Sequence, residues 1–76
     1  MNNKNDELPK LYWDAIYEIA LALRERFPEK KLEDVSLGDI FNLTIGLPNF
    51  ADEAELANDE ILAAIYQEWF EEINPL

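Results

Sequence analysis

The sequence holds seventeen aspartates and glutamates but no histidine and no cysteine, so whatever chemistry it performs is carboxylate chemistry. Without histidine it lacks the commonest general base and the commonest metal ligand. Without cysteine it has no disulfide, thiolate metal site or thiol nucleophile. Carboxylates can hold a cation through oxygen, dock on a basic surface, or transfer protons when burial shifts their pKa. Two pairs at helical i,i+4 spacing, Asp14/Glu18 and Glu68/Glu72, have the geometry for proton transfer. Such pairs are common on solvated helix faces, and a short helical chain leaves little room for a pocket. The protein is read as a non-enzyme.

The charge is segregated. Up to Lys31 six acids are balanced by six bases, namely Lys4, Lys10, Arg24, Arg26, Lys30 and Lys31. From Leu32 to Leu76 there are eleven acids and no base, which accounts for the whole net charge of −11. A field of that sign repels nucleic acid and anionic membranes and attracts cations and basic protein surfaces. Solubility alone would explain an acidic surface, but soluble surfaces normally interleave both signs. Binding to a basic protein is therefore the functional class that composition favours. A nucleic-acid-binding domain is set aside because it needs lysine and arginine against phosphate. No run is apolar enough to span a bilayer, and the start MNNKNDELPK has no apolar signal region, so a cytoplasmic location is expected; a monomer is expected separately.

Seventy-six residues make one small domain, near the size where a single core yields roughly 3–5 kcal/mol of net stability. Residues 1–10 read as a flexible arm and 11–76 as one helical domain. Asp14 is a candidate N-cap, followed by Ile16, Ile19, Ala20, Leu23 and Phe27 at helical spacing, with Pro28 closing the helix. Leu32 and Val35 should tuck inward from a connector in which Lys31 to Asp34 can form one turn. Ser36 and Asp39 have capping-box spacing, with Val35 and Ile40 placed as a hydrophobic staple. The short helix that follows should end at Gly46 in a left-handed C-cap, ahead of Pro48. Asn58 should cap the last helix, in which Ile61, Leu62, Ile65, Trp69 and Ile73 make the apolar stripe. Asn74 and Pro75 stop it, and a separate turn can precede it. Trp13, Phe27, Phe41, Phe50 and Trp69 are expected in the core.

The pattern resembles a known family, the small acidic IscX proteins of bacterial iron–sulfur cluster assembly. The resemblance runs from Leu11 to about Glu72. It is carried by L-x-W at Leu11 and Trp13, by Glu18, Ile19, Ala22 and Leu23, and by Phe27 followed by Pro28. Val35, Asp39, Leu47, Phe50 and the pair Asp52–Glu53 continue it. The most specific part is N-[DE]-x-I-L-x-A-I from Asn58 to Ile65, followed by Trp69.

The resemblance implies an all-α, compact three-helix domain that is winged-helix-like. It implies an accessory or adaptor protein that binds the cysteine desulfurase, with the scaffold or ferredoxin of the same machinery as further partners. It also implies weak, exchangeable binding of ferrous iron by surface carboxylates and modulation of cluster formation. The alternative is an acidic interaction module with no metal role. Family members can carry a dense acidic run around the residue matching Phe50. Here GLPNFADEAE places Gly46, Pro48, Asn49 and Ala51 where acids could stand, leaving Asp52, Glu53 and Glu55. The expected iron or partner contacts are Glu18, Glu25, Glu29 and Asp34. Asp39, Asp52, Glu53 and Glu55 are expected at the partner surface.

Overall fold

Side-chain caps start two of the three helices in the computed structural model, which describes residues 8–74. Asn58 Oδ1 accepts from the Ile61 backbone N–H at 2.8 Å, satisfying one of the free donors of the helix at Asp59–Ile73 (α3). Ser36 and Asp39 form the expected reciprocal box at the start of the helix at Leu37–Ile45 (α2). The Ser36 hydroxyl accepts from the Asp39 N–H, and the Asp39 carboxylate accepts from the Ser36 N–H, each at 3.0 Å. The helix at Ile16–Arg26 (α1) has no side-chain cap. Asp14, expected to cap it, instead sits in a tight turn closed by the Ala15 N–H on the Tyr12 carbonyl at 2.9 Å. The helix begins only beyond that turn, with Ala15 at the cap position.

The connections also follow local chemistry. Single 3-10 turns occupy Leu32–Asp34 and Ala54–Leu56, as the two short connectors allowed. The Tyr66 hydroxyl, reaching from α3, donates to the Leu32 carbonyl at 3.0 Å and ties the first turn to the core. Gly46 departs from expectation. Its φ of −85° and ψ of −4° are right-handed, and no described residue has a positive φ. The Leu47 N–H bonds the Thr44 carbonyl at 3.0 Å, so α2 ends by tightening its last turn rather than by a left-handed cap.

α1 and α3 make the main helix–helix contact, and α2 packs chiefly on α3. α1 contributes Ile19, Ala20 and Leu23 to the core, α2 Ile40 and Thr44, and α3 Leu62, Ile65 and Trp69. Trp13, Leu11, Leu32 and Leu47 complete it from the connecting segments. Phe27, Phe41 and Phe50 are half-buried against this cluster rather than enclosed by it. Ile73, expected on the stripe, is exposed, so the buried face of α3 ends at Trp69. Ile16 and Ile61 share a groove at the first turns, and Arg24 pairs with Glu72 at 3.0 Å near the last turns. α1 and α3 therefore run side by side in the same direction.

The segment ahead of α1 is stitched onto the loop ahead of α3. Leu11 pairs with Phe50 as an isolated parallel bridge: the Leu11 N–H donates to Asn49 O at 2.9 Å and the Ala51 N–H to Leu11 O at 2.8 Å. The Asn49 side-chain amide donates to the Pro9 carbonyl at 2.7 Å, so the end of the expected arm is held. Residues 1–7 of that arm, and Pro75, lie outside the described residues. The Trp13 N–H donates to Asp52 Oδ2 at 2.9 Å, and its indole Nε1–H donates to the Glu53 carbonyl at 2.8 Å. Asp52 Oδ1 accepts from the Glu53 N–H at 2.7 Å, so both carboxylate oxygens are engaged. The Trp13 ring, 2% exposed, stacks on Phe41 and meets Phe50 edge-on, with centroids 6.1 and 4.8 Å away.

Two substitutions test this arrangement by urea denaturation. Asp52→Ala strips the acceptor from the Trp13 and Glu53 amides and should cost about 1–3 kcal/mol, while Glu55→Ala should be close to neutral. Equal effects would mean that the Asp52 carboxylate does not hold the loop. Gly46→Ala should stabilise by about 0.4–1 kcal/mol, because the glycine φ suits any residue. The added methyl meets the Asn42 carbonyl at 3.4 Å, an ordinary contact. Loss of stability there would restore the left-handed cap.

Candidate docking and ion-contact surfaces

Six of the eight expected site residues fall on two surfaces toward opposite ends of α1. Beyond the C-terminal end of α1, Glu29, Asp34 and Asp39 line one cavity of about 350 Å³ together with Lys30, Lys31 and Asn42. Three expected acids are thus brought together by the connector turn at Leu32–Asp34 and by the start of α2. Glu18 and Glu25 do not join them. Both are exposed on α1, and Glu25 lines a separate groove with Arg26, Leu47 and Asn49.

The cavity is not a built ion site. Among the described residues no three carboxylates are grouped so as to hold a metal. Asp39 already gives one oxygen to the α2 cap, and Lys30 and Lys31 bring positive charge to the same walls. A ferrous ion needs several oxygen donors at once when imidazole and thiolate are absent. This donor set does not fit a tightly held iron.

Asp52, Glu53 and Glu55 stand at the opposite end of α1. They belong to the loop and 3-10 turn that lead into α3, where Asp59 and Glu60 follow in its first turn. Residues 52–60 therefore present five acids and no base. The Trp13 clamp fixes this loop, so its charges are held on the surface rather than free to disperse. Asp52 contributes as a structural acceptor as well as a charge, a role that sequence reasoning missed. The carboxylate pairs considered for proton transfer are also placed: Asp14 and Glu18 are exposed, and Glu72 is engaged by Arg24 at 3.0 Å.

Beside that loop lies an apolar groove formed by Tyr12, Ile16, Leu56 and Ile61, with Asp14 and Asp52 at its edges. Tyr12 and Leu56 are half exposed. Neither was singled out in the sequence as functional. The signal was available in Leu56, a large apolar residue alone among acids in ADEAELANDE.

Comparison with known proteins agrees with this geometry in extent. Residues 11–74 match the family described as iron–sulphur cluster assembly. The chain is 34% identical over 62 residues to an uncharacterised protein of Pseudomonas aeruginosa, covering 82% of this chain and 94% of that one. The matched region starts at Leu11, the first residue of the stitched segment, and takes in the caps, the clamp and all three helices. The chain therefore belongs to the iron–sulphur cluster assembly family, the IscX family that its L-x-W and N-[DE]-x-I-L-x-A-I patterns resemble.

Proposed function

We propose that this protein is a non-enzymatic accessory of iron–sulfur cluster assembly that docks on the cysteine desulfurase through an acidic face. Family membership supports the role in cluster assembly. The observation that carries the docking is the separation of charge in the fold. The acids at the exit of α1 sit among Arg26, Lys30 and Lys31, whereas Asp52, Glu53, Glu55, Asp59 and Glu60 have no base in their segment. The second set projects the stronger negative field, and of the bases only Lys10 stands on the segment paired with its loop, so a basic partner surface meets it with little local competition. Such a contact raises the association rate and weakens as salt screens it, because the Debye length falls from about 10 Å at 0.1 M to about 3 Å at 1 M.

Ferrous iron enters this proposal only as a weakly held ion, and no step of the docking runs through it. Glu29 and Asp34 supply oxygens without a closed cage, so water completes the coordination and the ion exchanges freely. The alternative, an acidic interaction module with no metal role, differs only in this second part.

Affinity for the cognate desulfurase, followed from about 0.05 to about 0.5 M salt, should fall steadily. Glu53→Gln and Glu55→Gln should each weaken binding about two- to fivefold at low salt, with smaller effects from Glu18→Gln and Glu25→Gln. Affinity indifferent to salt would overturn the electrostatic reading. Paramagnetic broadening by ferrous iron should centre on Glu29, Asp34 and Asp39 in fast exchange and be abolished by Glu29→Gln with Asp34→Asn. Absence of any localised broadening would leave the metal-free module.

A further inference from the structure

We propose that the groove between the first turns of α1 and α3 seats an apolar side chain presented by a basic segment of a protein partner. This rests on the docking reading above and adds a specific anchor to it. The groove holds about 710 Å³ and is shallow, with Tyr12, Ile16, Leu56 and Ile61 as its apolar surface. Its volume lies within the range of roughly 300–1,000 Å³ common to ligand sites. The open form suits a side chain carried on a bound chain better than an enclosed small molecule. Tyr12 and Leu56 remain 45% and 57% exposed. Large apolar contacts of this kind, ringed by polar groups, are the usual centre of an interface.

Charge selects the occupant. Asp14 and Asp52 edge the groove, and Glu53, Glu55, Asp59 and Glu60 are carried on the segment that forms one wall. The parallel helices bring two N-termini to this end, each equivalent to about half a positive charge. Six carboxylates outweigh them together with Lys10, which precedes Tyr12 by two residues. Arg24 and Arg26 stand in the last turn of α1, roughly 12–15 Å further along the helix at 1.5 Å per residue, where screening is already substantial. A second copy of this chain would bring its own net charge of −11 against the same field. A partner segment with leucine-like residues on one face and arginine or lysine on the other satisfies both the apolar surface and its acidic edge. The clamp keeps this receptor preformed. Trp13 backs the groove and is hydrogen-bonded to the loop that carries Leu56, so docking requires little ordering of the receptor.

The test is an NMR titration of the full chain with a short synthetic helical peptide carrying leucines on one face and arginines on the other. Shifts should concentrate at Tyr12, Ile16, Leu56 and Ile61. Leu56→Asn, at a site too exposed to be needed for folding, should weaken binding about tenfold, the equivalent of losing one well-buried apolar side chain. The salt dependence should stay as in the parent chain. A matching peptide with glutamate in place of arginine should not bind. Shifts centred on Glu29, Asp34 and Asp39, or affinity unchanged by Leu56→Asn, would overturn the proposal. So would groove signals that move on dilution of the free chain, which indicate a second copy, or Overhauser contacts from residues 1–7 to Leu56. The same variant against the desulfurase separates the two readings. Parent binding with no loss in Leu56→Asn removes the groove and leaves the docking. Peptide binding without desulfurase binding removes that partner and leaves the groove.

Discussion

The hydrogen bonds from Trp13 to Asp52 and Glu53 join positions 39 and 40 residues apart, and much of the fold depends on them. The indole is large enough to matter to a small core, burying about 150–250 Å², but its Nε1–H and the Trp13 backbone N–H must both be satisfied once the residue is enclosed. Asp52 and the Glu53 carbonyl satisfy both. In doing so they pin an irregular loop that has only one 3-10 turn of its own. Phe41 and Phe50 pack on the same ring, so α2, the loop and the segment ahead of α1 share one anchor. Burial and polar satisfaction are therefore coupled at a single residue.

That anchor also gives the molecule its polarity. Parallel packing of α1 and α3 puts both positive helix ends on one side and both negative ends on the other. The side chains complement the dipoles at two of these ends, where Asp59 and Glu60 start α3 and Arg24 and Arg26 finish α1, whereas Glu71 and Glu72 in the last turn of α3 oppose its dipole. Beyond the finish of α1 the acids are diluted by Lys30 and Lys31, whereas toward the start Lys10 is the one lysine on the segment stitched to the acidic loop. A surface of this kind draws a basic partner from a distance but discriminates poorly among basic partners. On the proposed reading, an apolar groove within the acidic field would supply what the field lacks, a contact that depends on shape and side-chain type rather than charge.

Features set by neighbours in sequence were legible from the sequence. The Ser36–Asp39 box, the Asn58 cap, the 3-10 turn after Lys31 and the apolar stripe from Leu62 to Trp69 all follow from spacing within a few residues. The misses arose where a longer-range demand prevailed. Asp14 had the right residue type for a cap, but Trp13 must reach the loop at Asp52, and the chain turns once more before α1 begins. Gly46 had the right type for a left-handed cap, but Leu47 is drawn into the core and α2 closes with a tightened turn instead. The convergence of Glu29, Asp34 and Asp39 was half visible, since the acids are candidate contacts in the sequence but nothing there shows that Lys30 and Lys31 share their cavity. Of the groove only Leu56, apolar among acids, gave a sign in the sequence, because Tyr12, Leu56 and Ile61 meet only through the tertiary fold.

Hydrogen exchange of the chain alone and in complex with the cysteine desulfurase tests the central claim most directly, because it locates the docking face without altering a residue. The expected result is slowed exchange confined to residues 12–16 and 52–61, with the connector and α2 start at 29–42 unchanged. Protection centred on 29–42, or none in either segment under conditions where the complex forms, would contradict docking through the acidic end of the parallel helices.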